Sequence, residues 1–510
     1  MTVAFNNMPA DQLTSLFFAE FNAGVPPYSG TSRQVLFGHK TSGGVMASNS
    51  QIPLGSIDPN VLCGPGSTLA AQAAYARRHD PFGEIYLVAV AEPGSAVARV
   101  DTLTFTAATA AGTLVRYVAG EAVSIPVAAG DAATAIAARF AAKVAEGYVL
   151  FNRRMAFPVV ATVSAAVVTL TARHGGTVGN QVRVEAGLDG DEFDPAGVTV
   201  TVANTTPGAG EVDLATCFAY LNTQPADWVV SAFEAKTANL NASRDFFADT
   251  GTGRWAPTVQ KLGHYTSVLA GNLSALTAFG SGRNDPHATV FGAYAFPHPL
   301  WCIGAALNGV IARSKNLAAS ITEAIEISRP FNGLALEGIR PPKLDTDRFG
   351  DADRNSLYRN GIAGYTVSAD NVVRLERITT TYQRTALGAS DRTFLDLETL
   401  AQSMYVGRYF RQRIETTYPR HVLMDENPRG LQGVATPDGV KGTLRHAYIE
   451  LCNGGICEKP GLFAKYVICE RSADPNRLNA YLPIDVANQL RVFAANITIS
   501  TELDENRLVA

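Results

Sequence analysis

The stretch "VLFGHKTSGG" (Val35–Gly44) sets Lys40 and Thr41 in a glycine-bearing loop directly after an apolar, extended run. A phosphate-binding loop would sit at such a place. It needs glycine immediately before the lysine and another five residues earlier, so that backbone N–H groups wrap the phosphates. His39 stands at the first of these positions, so the match fails. "CGPGSTLA" offers Gly64 and Gly66 at a helix start, but Pro65 removes an amide that a dinucleotide pyrophosphate would need, and a tight strand-to-helix turn accounts for both glycines. Ser281 lies between Gly280 and Gly282 in "FGSGR", whereas a nucleophile elbow wants glycine two positions to each side of the serine. An α/β hydrolase would have to draw on Ser281 and His264, and nothing in their spacing singles them out.

Eight histidines are scattered without a His-x-x-x-His or Glu-x-x-His spacing, and His287 and His298 read as loop residues at the ends of a strand. The six cysteines form no zinc or disulfide pattern. Cys63, Cys217, Cys302 and Cys469 sit alone in apolar stretches, and Cys452 and Cys457 flank "NGGI", read as a hairpin-like turn. Reduced thiols of a cytosolic folding compartment are expected. No catalytic residue, metal ligand or cofactor is therefore assigned.

The elements that would have to position such residues are regular. At 510 residues the chain exceeds the roughly 250–300 at which one core stops growing, so two to four domains are expected. A net charge of −4 with interspersed signs announces no basic surface for nucleic acid. The start "MTVAFNNMPADQL" lacks the cationic and apolar blocks of a secretion signal. The uncharged run Phe157–Ala172 is too short for a membrane span and rich in Val and Thr, so paired strands are expected there.

From Ser32 to Glu92 the order is strand, loop, helix, strand, with Ser67 or Thr68 capping "LAAQAAYARRH". Residues 95–210 are short alternating runs of Ala, Thr, Val and Gly, interrupted by one helix on which Ile136, Phe140 and Val144 recur behind Asp131. The α/β rhythm then resumes in "DWVVSAF", "YTSVLAG" and "ATVFGAYA", so the β-rich part reads as an insertion. A third region opens at Val372 with a strand, "VVRLERITTTYQ", and a long helix, "DLETLAQSMYVGRYFRQRIETTYP". In that helix Asp396 and Glu398 at the start and Arg408, Arg411 and Arg413 near the end oppose the dipole.

Both ends look like strands without partners. Near the start, Phe17, Ala19 and Phe21 lie on one face of an extended run and Leu16 and Phe18 on the other, with Glu20 between them and prolines on either flank. Near the end, Asn496, Ile497, Thr498, Ile499 and Ser500 alternate polar and apolar. Unpaired strands recruit other chains. About five added residues, at roughly 0.5–1.5 kcal/mol per hydrogen bond plus the burial of Ile497 and Ile499, would hold a partner tightly, and the same joint on every copy makes a polymer.

Five motifs carry a resemblance: "GPGSTLAAQAAYARRHDPFGEIYLVAV", "SRPFNGLALEGIRPP", "RITTTYQRTALGASDRTFLDLETL", "YPRHVL" and "DPNRLNAYLPIDVANQLRVFA". In this order and spacing the chain resembles the tail sheath proteins of Mu-like contractile-tailed bacteriophages, over about residues 10–95 and 210–500. The resemblance implies an α/β (α+β multidomain) architecture. Residues 1–31 would be an N-terminal arm, 32–94 with 211–371 a subtilisin-like α/β core, 95–210 an outer β-rich insert, 372–490 an inner α+β domain facing the tube, and 491–510 a C-terminal strand arm. "HGTH" and "GTSMA" are absent, so proteolysis is not implied.

It further implies a structural subunit that forms stacked hexameric rings around an inner tube and contracts to drive that tube through the host envelope. The arms would complete a sheet on adjacent copies, and Arg408, Arg411 and Arg413 would face the tube. Implied partners are further copies of the chain, the tail tube protein, and baseplate and tail terminator proteins, with no nucleic acid and no membrane insertion. The implied location is the virion tail, assembled in the host cytoplasm. The sheath of a phage-derived bacteriocin or secretion-type injection system fits the same motifs. A small-oligomer binding module would instead need its terminal strands satisfied internally.

Overall fold

The computed structural model describes residues 28, 30–190, 192–221, 223–497 and 499. By its internal contacts the described chain divides into two compact units, one of residues 31–317, 324–405 and 486 onward, the other of 28, 30, 318–323 and 406–485.

The first unit is built on an eight-stranded sheet in the order Val373–Arg377, Ile362–Val367, Ala288–Ala293, His264–Ala270, Trp228–Ser231, Arg33–Gly38, Glu84–Ala89, Gln51–Pro53. The central pairings are parallel and the two edge pairings antiparallel. Parallel strands covered on both faces are apolar throughout rather than alternating. That is the pattern of Ala288–Ala293 and Trp228–Ser231, every residue of which is buried. The helices Thr68–His79 and Leu300–Ser314 pack together on the sheet. Ser67 Oγ accepts the Ala70 amide at 3.1 Å and so caps the first of them. Gly309 permits their close approach, because a Cβ there would stand 2.8 Å from His79 Cβ and 3.0 Å from the Ala76 carbonyl.

Residues 98–206 form sheets of their own. Four antiparallel strands run in the order Val200–Thr206, Ala98–Phe105, Val167–Gly175, Val159–Ser164, and three more in the order Val184–Glu185, Gly112–Val118, Glu121–Val127. The helix Ala133–Glu146 buries Ile136, Phe140 and Val144, as its periodicity requires. Asp131 does not cap it: the carboxylate accepts the Ala128 amide at 2.7 Å and pairs with Arg139.

In the second unit the helices Pro437–Asn453 and Pro460–Tyr466 stack Tyr448 on Phe463, ring centroids 3.9 Å apart. A two-stranded ribbon, Ile468–Arg471 with Leu478–Tyr481, packs against the first of these helices.

Two local readings differ from the structure. Val373–Arg377 does not open a separate region at 372: it pairs with Ile362–Val367 at the edge of the main sheet, burying Val373 and Leu375. The division between units falls instead within the helix Leu397–Thr417, between Tyr405 and Val406. "CNGGIC" is a helix end rather than a hairpin turn, since Cys452 and Asn453 close the helix Pro437–Asn453 and Gly455, at φ +73°, supplies the turn out of it.

Candidate functional site

In a doubly wound sheet, ligands bind beyond the carboxyl ends of the strands where the winding reverses. Here that point lies between Arg33–Gly38 and Trp228–Ser231, because the chain passes from the former to Glu84–Ala89 on one side and continues through Trp228–Ser231 on the other. The side chains that gather there include two from the inserted residues, His174 and Gln181. His174 sets its ring 5.2 Å from that of His39, holds Glu92 at 2.8 Å through Nδ1, and faces the Thr68 amide at 3.4 Å through Nε2. Gln181 donates to the Ala232 carbonyl at 3.0 Å and accepts the Trp301 amide at 3.3 Å. His39 donates to the Val90 carbonyl at 2.9 Å and meets Phe233 edge to face. Burial pushes its imidazole down to about 4, whereas the hydrogen bond from His174 holds the Glu92 carboxyl below the usual carboxylate range.

Lys40 completes the exclusion of a phosphate cradle: its ammonium donates to the Met46 carbonyl at 2.9 Å within its own loop. The second glycine of "KTSGG" serves packing. A Cβ on Gly44 would stand 2.4 Å from the Cys63 carbonyl carbon. A cleft of about 230 Å³ remains beyond His264–Ala270 and Ala288–Ala293, and of the charged groups on it Arg183 pairs with Glu185 and Lys236 with Glu211.

Ser281 and His264 are not brought together. His264 is fully buried and donates from Nε2 to Thr289 Oγ1 at 2.9 Å, while that hydroxyl donates to the Thr379 carbonyl at 3.0 Å. Its burial holds the imidazole well below the ordinary histidine range. Ser281 ends the helix Leu273–Ser281 and donates to the Ala278 carbonyl at 3.0 Å. His287 stacks on Trp255 and pairs with Asp249 at 3.1 Å, and His298 accepts the Arg340 amide at 3.2 Å. All six cysteines are free thiols, and among the described residues no group of three or more His, Cys, Asp or Glu could hold a metal ion. No helix among them is long and apolar enough to cross a membrane.

The segments expected to reach other copies are described in part. Leu16, Phe17, Phe18, Ala19, Glu20 and Phe21 lie outside the described residues, as do Thr498 and Ser500. Asn496, Ile497 and Ile499 belong to no strand in the single chain, and the two isoleucines are 79% and 90% exposed. Leu490, Val492 and Phe493 before them are also exposed. Nearer the body the segment is seated: Gln402 donates to the Ala487 carbonyl at 2.8 Å, and Arg491 pairs with Asp396 and Glu398.

Along its length the chain is 27% identical over 502 residues to the Mu-like prophage FluMu tail sheath protein of Haemophilus influenzae, covering 97% of this chain and 99% of that one. The chain is similar to a Mu-like tail sheath protein over nearly its whole length. The aligned span runs through residues 95–210 too, which the motifs alone left out. No protein-family model matches the chain. Among solved structures it is similar to the sheath tail proteins of Desulfitobacterium hafniense (11% identity, TM-score 0.48, covering 92% of this chain and 97% of that chain) and Listeria innocua (10%, 0.45, 90% and 93%). It is also similar to the helical sheath of the anti-feeding prophage in its contracted state (8%, 0.47, 96% and 100%). At these scores no strand or helix is assigned a counterpart.

The three arginines expected to face a tube are placed differently from one another. Arg413 is committed internally, with Nη2 paired to Glu450 and 3.1 Å from the Tyr409 hydroxyl. Arg411 lies along its helix toward Glu415 at 3.4 Å, and Arg408 is half-buried. The pairing of Asp396 and Glu398 with Arg377 and Arg491 was not read from the sequence. A signal for it was present, since Glu398 shares its helix face with Ala401 and Gln402 and so has no cation one turn away.

Proposed function

We propose that the chain is the structural subunit of a contractile phage tail sheath. Copies polymerise as stacked hexameric rings around an inner tail tube, and shortening of the sheath drives the tube through the host envelope for genome delivery. The observation that supports this most is the relationship to a tail sheath protein over nearly the full length of both chains. In this reading baseplate and terminator proteins bound the polymer, which assembles in the host cytoplasm and ends in the virion tail.

The terminal segments are the joints. Residues 496–500 add as a strand to another copy, and residues 16–21 do the same from the other end. The ribbon Ile468–Arg471/Leu478–Tyr481 is the acceptor we favour. It stands as a two-stranded sheet among the described residues, and its paired Ile468 and Tyr481 are 51% and 61% exposed. Two strands alone are marginal in water, so additional strands stabilise it.

Residues 32–94 and 211–371 form the subtilisin-like core, with the edge strand to Arg377 added to it. Residues 95–210 form the outer part, and the unit beginning at Val406 forms the inner layer, with Arg408 and Arg411 toward the tube. No cofactor enters this mechanism. Contraction proceeds because subunits pack better in the shortened lattice, and the extended lattice persists behind a kinetic barrier.

Electron microscopy of the purified full chain and of a form lacking residues 496–510 tests this reading. Tubes or rings are expected from the first and folded, unassembled chains from the second. Equal tubes from both would sink the role given to the C-terminal segment, and a full chain that stays monomeric at every concentration would sink the sheath subunit itself.

A further inference from the structure

We propose that Arg491 is the positioning residue of the C-terminal segment, a clasp that fixes the point at which the segment leaves the body. The proposal rests on reading residues beyond 491 as a joint to another copy. The Arg491 guanidinium lies 2.9 Å from Glu398 Oε2 and 3.2 Å from Asp396 Oδ1. Glu398 is fully buried, and its other oxygen accepts the Phe331 amide at 3.3 Å. Asp396 is held from its far side by a two-pronged pair with Arg377, at 2.8 and 2.9 Å, and Arg377 is the last residue of the edge strand Val373–Arg377. The root of the segment is thus tied through Asp396 to the edge of the main sheet, and through Glu398 to the Phe331 backbone. One helical turn on from Glu398, Gln402 adds the hydrogen bond to the Ala487 carbonyl.

Chemistry explains why this anchor is specific. A buried carboxylate without a cation beside it is strongly disfavoured, so the guanidinium 2.9 Å from Glu398 is not readily replaced by water or by a neighbouring side chain. Lys315 is the other buried cation close by, but its ammonium is directed at the Glu326 and Arg329 carbonyls, at 3.2 and 2.5 Å. Arg491 is held between exposed apolar neighbours: Leu490, Val492 and Phe493 are 79%, 79% and 83% exposed. A root held in one place leaves less freedom to be lost when the exposed part docks, which strengthens the joint without adding a contact to it. It also lets a pull on the segment act on the main sheet rather than unravel the chain end.

The test is amide hydrogen exchange on the full chain at concentrations below assembly, comparing Arg491→Met and Arg491→Lys with the parent. Loss of the cation from a buried ion pair predicts at least about tenfold faster exchange over residues 486–493 in Arg491→Met, with sheet amides unchanged and a higher threshold concentration for assembly. Arg491→Lys keeps the charge on a more strongly hydrated head that is costlier to bury, and falls between; it carries the test if the methionine variant fails to fold. Unchanged exchange at 486–493 would overturn the proposal, as would acceleration spread equally over the main sheet, which would make Arg491 an ordinary stability residue. Deleting residues 496–510 leaves Arg491 in place, so normal assembly by that deletion refutes the joint, whereas the exchange result judges the clasp by itself.

Discussion

Replacing Ile497 and Ile499 together by aspartate separates the assembly role of the C-terminal segment from any role in the fold of one copy. Both side chains are exposed in the single chain, at 79% and 90%, so little burial is lost from the monomer and its stability should change by no more than about 0.5 kcal/mol. In a strand added to another copy the same side chains are buried, each contributing roughly 1.5–3 kcal/mol, so the pair weakens every joint by about 3–6 kcal/mol. At 1.4 kcal/mol per tenfold, the threshold concentration for tubes rises by about two to four orders of magnitude. Sedimentation across a concentration series, with electron microscopy of the pellet, reads the threshold, and thermal unfolding of the dilute protein reads the monomer. Ile497→Val with Ile499→Val keeps the apolar strand and should assemble nearly as the parent does. Tubes at the parental threshold from the aspartate variant would refute the joint. A large loss of monomer stability would refute the premise that the isoleucines lie outside the core.

Three further outcomes follow from the body of the protein. His39 stays neutral in the fold down to about pH 4, so between about 6.5 and 4 the unfolded chain takes up a proton that the folded chain refuses; stability falls as pH drops through this window, by roughly 3 kcal/mol from His39. His264 acts in the same direction, and the urea midpoint of His39→Asn should fall less steeply than the parent's between pH 7.5 and 4.5. Gly44→Ala forces a Cβ to within 2.4 Å of the Cys63 backbone and should cost about 1–3 kcal/mol in thermal unfolding, whereas Gly43→Ala, with its nearest neighbour at 3.4 Å, should be close to neutral. Glu450→Gln removes the charge that pairs Arg413 and accepts from the Tyr409 hydroxyl at 2.8 Å. It should destabilise the unit of residues 406–485 by roughly 1.5–3 kcal/mol, seen as faster limited proteolysis there while the main sheet stays resistant.

Periodicity made much of the scaffold legible. "ATVFGAYA" and "DWVVSAF" read as buried strands because a strand covered on both faces has no polar alternation to show, and Ser67 announced a helix start because its hydroxyl has one local amide to satisfy. The exclusion of a phosphate loop was legible as well: His39 at the glycine position is matched by a lysine that bonds its own loop. Less legible was the fate of "VVRLERITTTYQ", a strand whose place in the main sheet depends on Ile362–Val367 having an open edge beside it. The filling of the switch point by His174 and Gln181 was hidden for a similar reason, since nothing in "ARHGG" or "GNQV" refers to the ends of strands far away in the chain.

What the sequence alone determined, then, was the local alternation of strands and helices, the strand-like pattern of its ends and the motifs that resemble those of tail sheath proteins. These rest on side chains two to four positions apart, whose contacts form whatever the rest of the chain does. Only the tertiary structure decided which charges meet. Arg491 finds Asp396 and Glu398, and Arg413 finds Glu450, because folding brings distant segments into one low-dielectric place, where an ion must take the partner that geometry supplies.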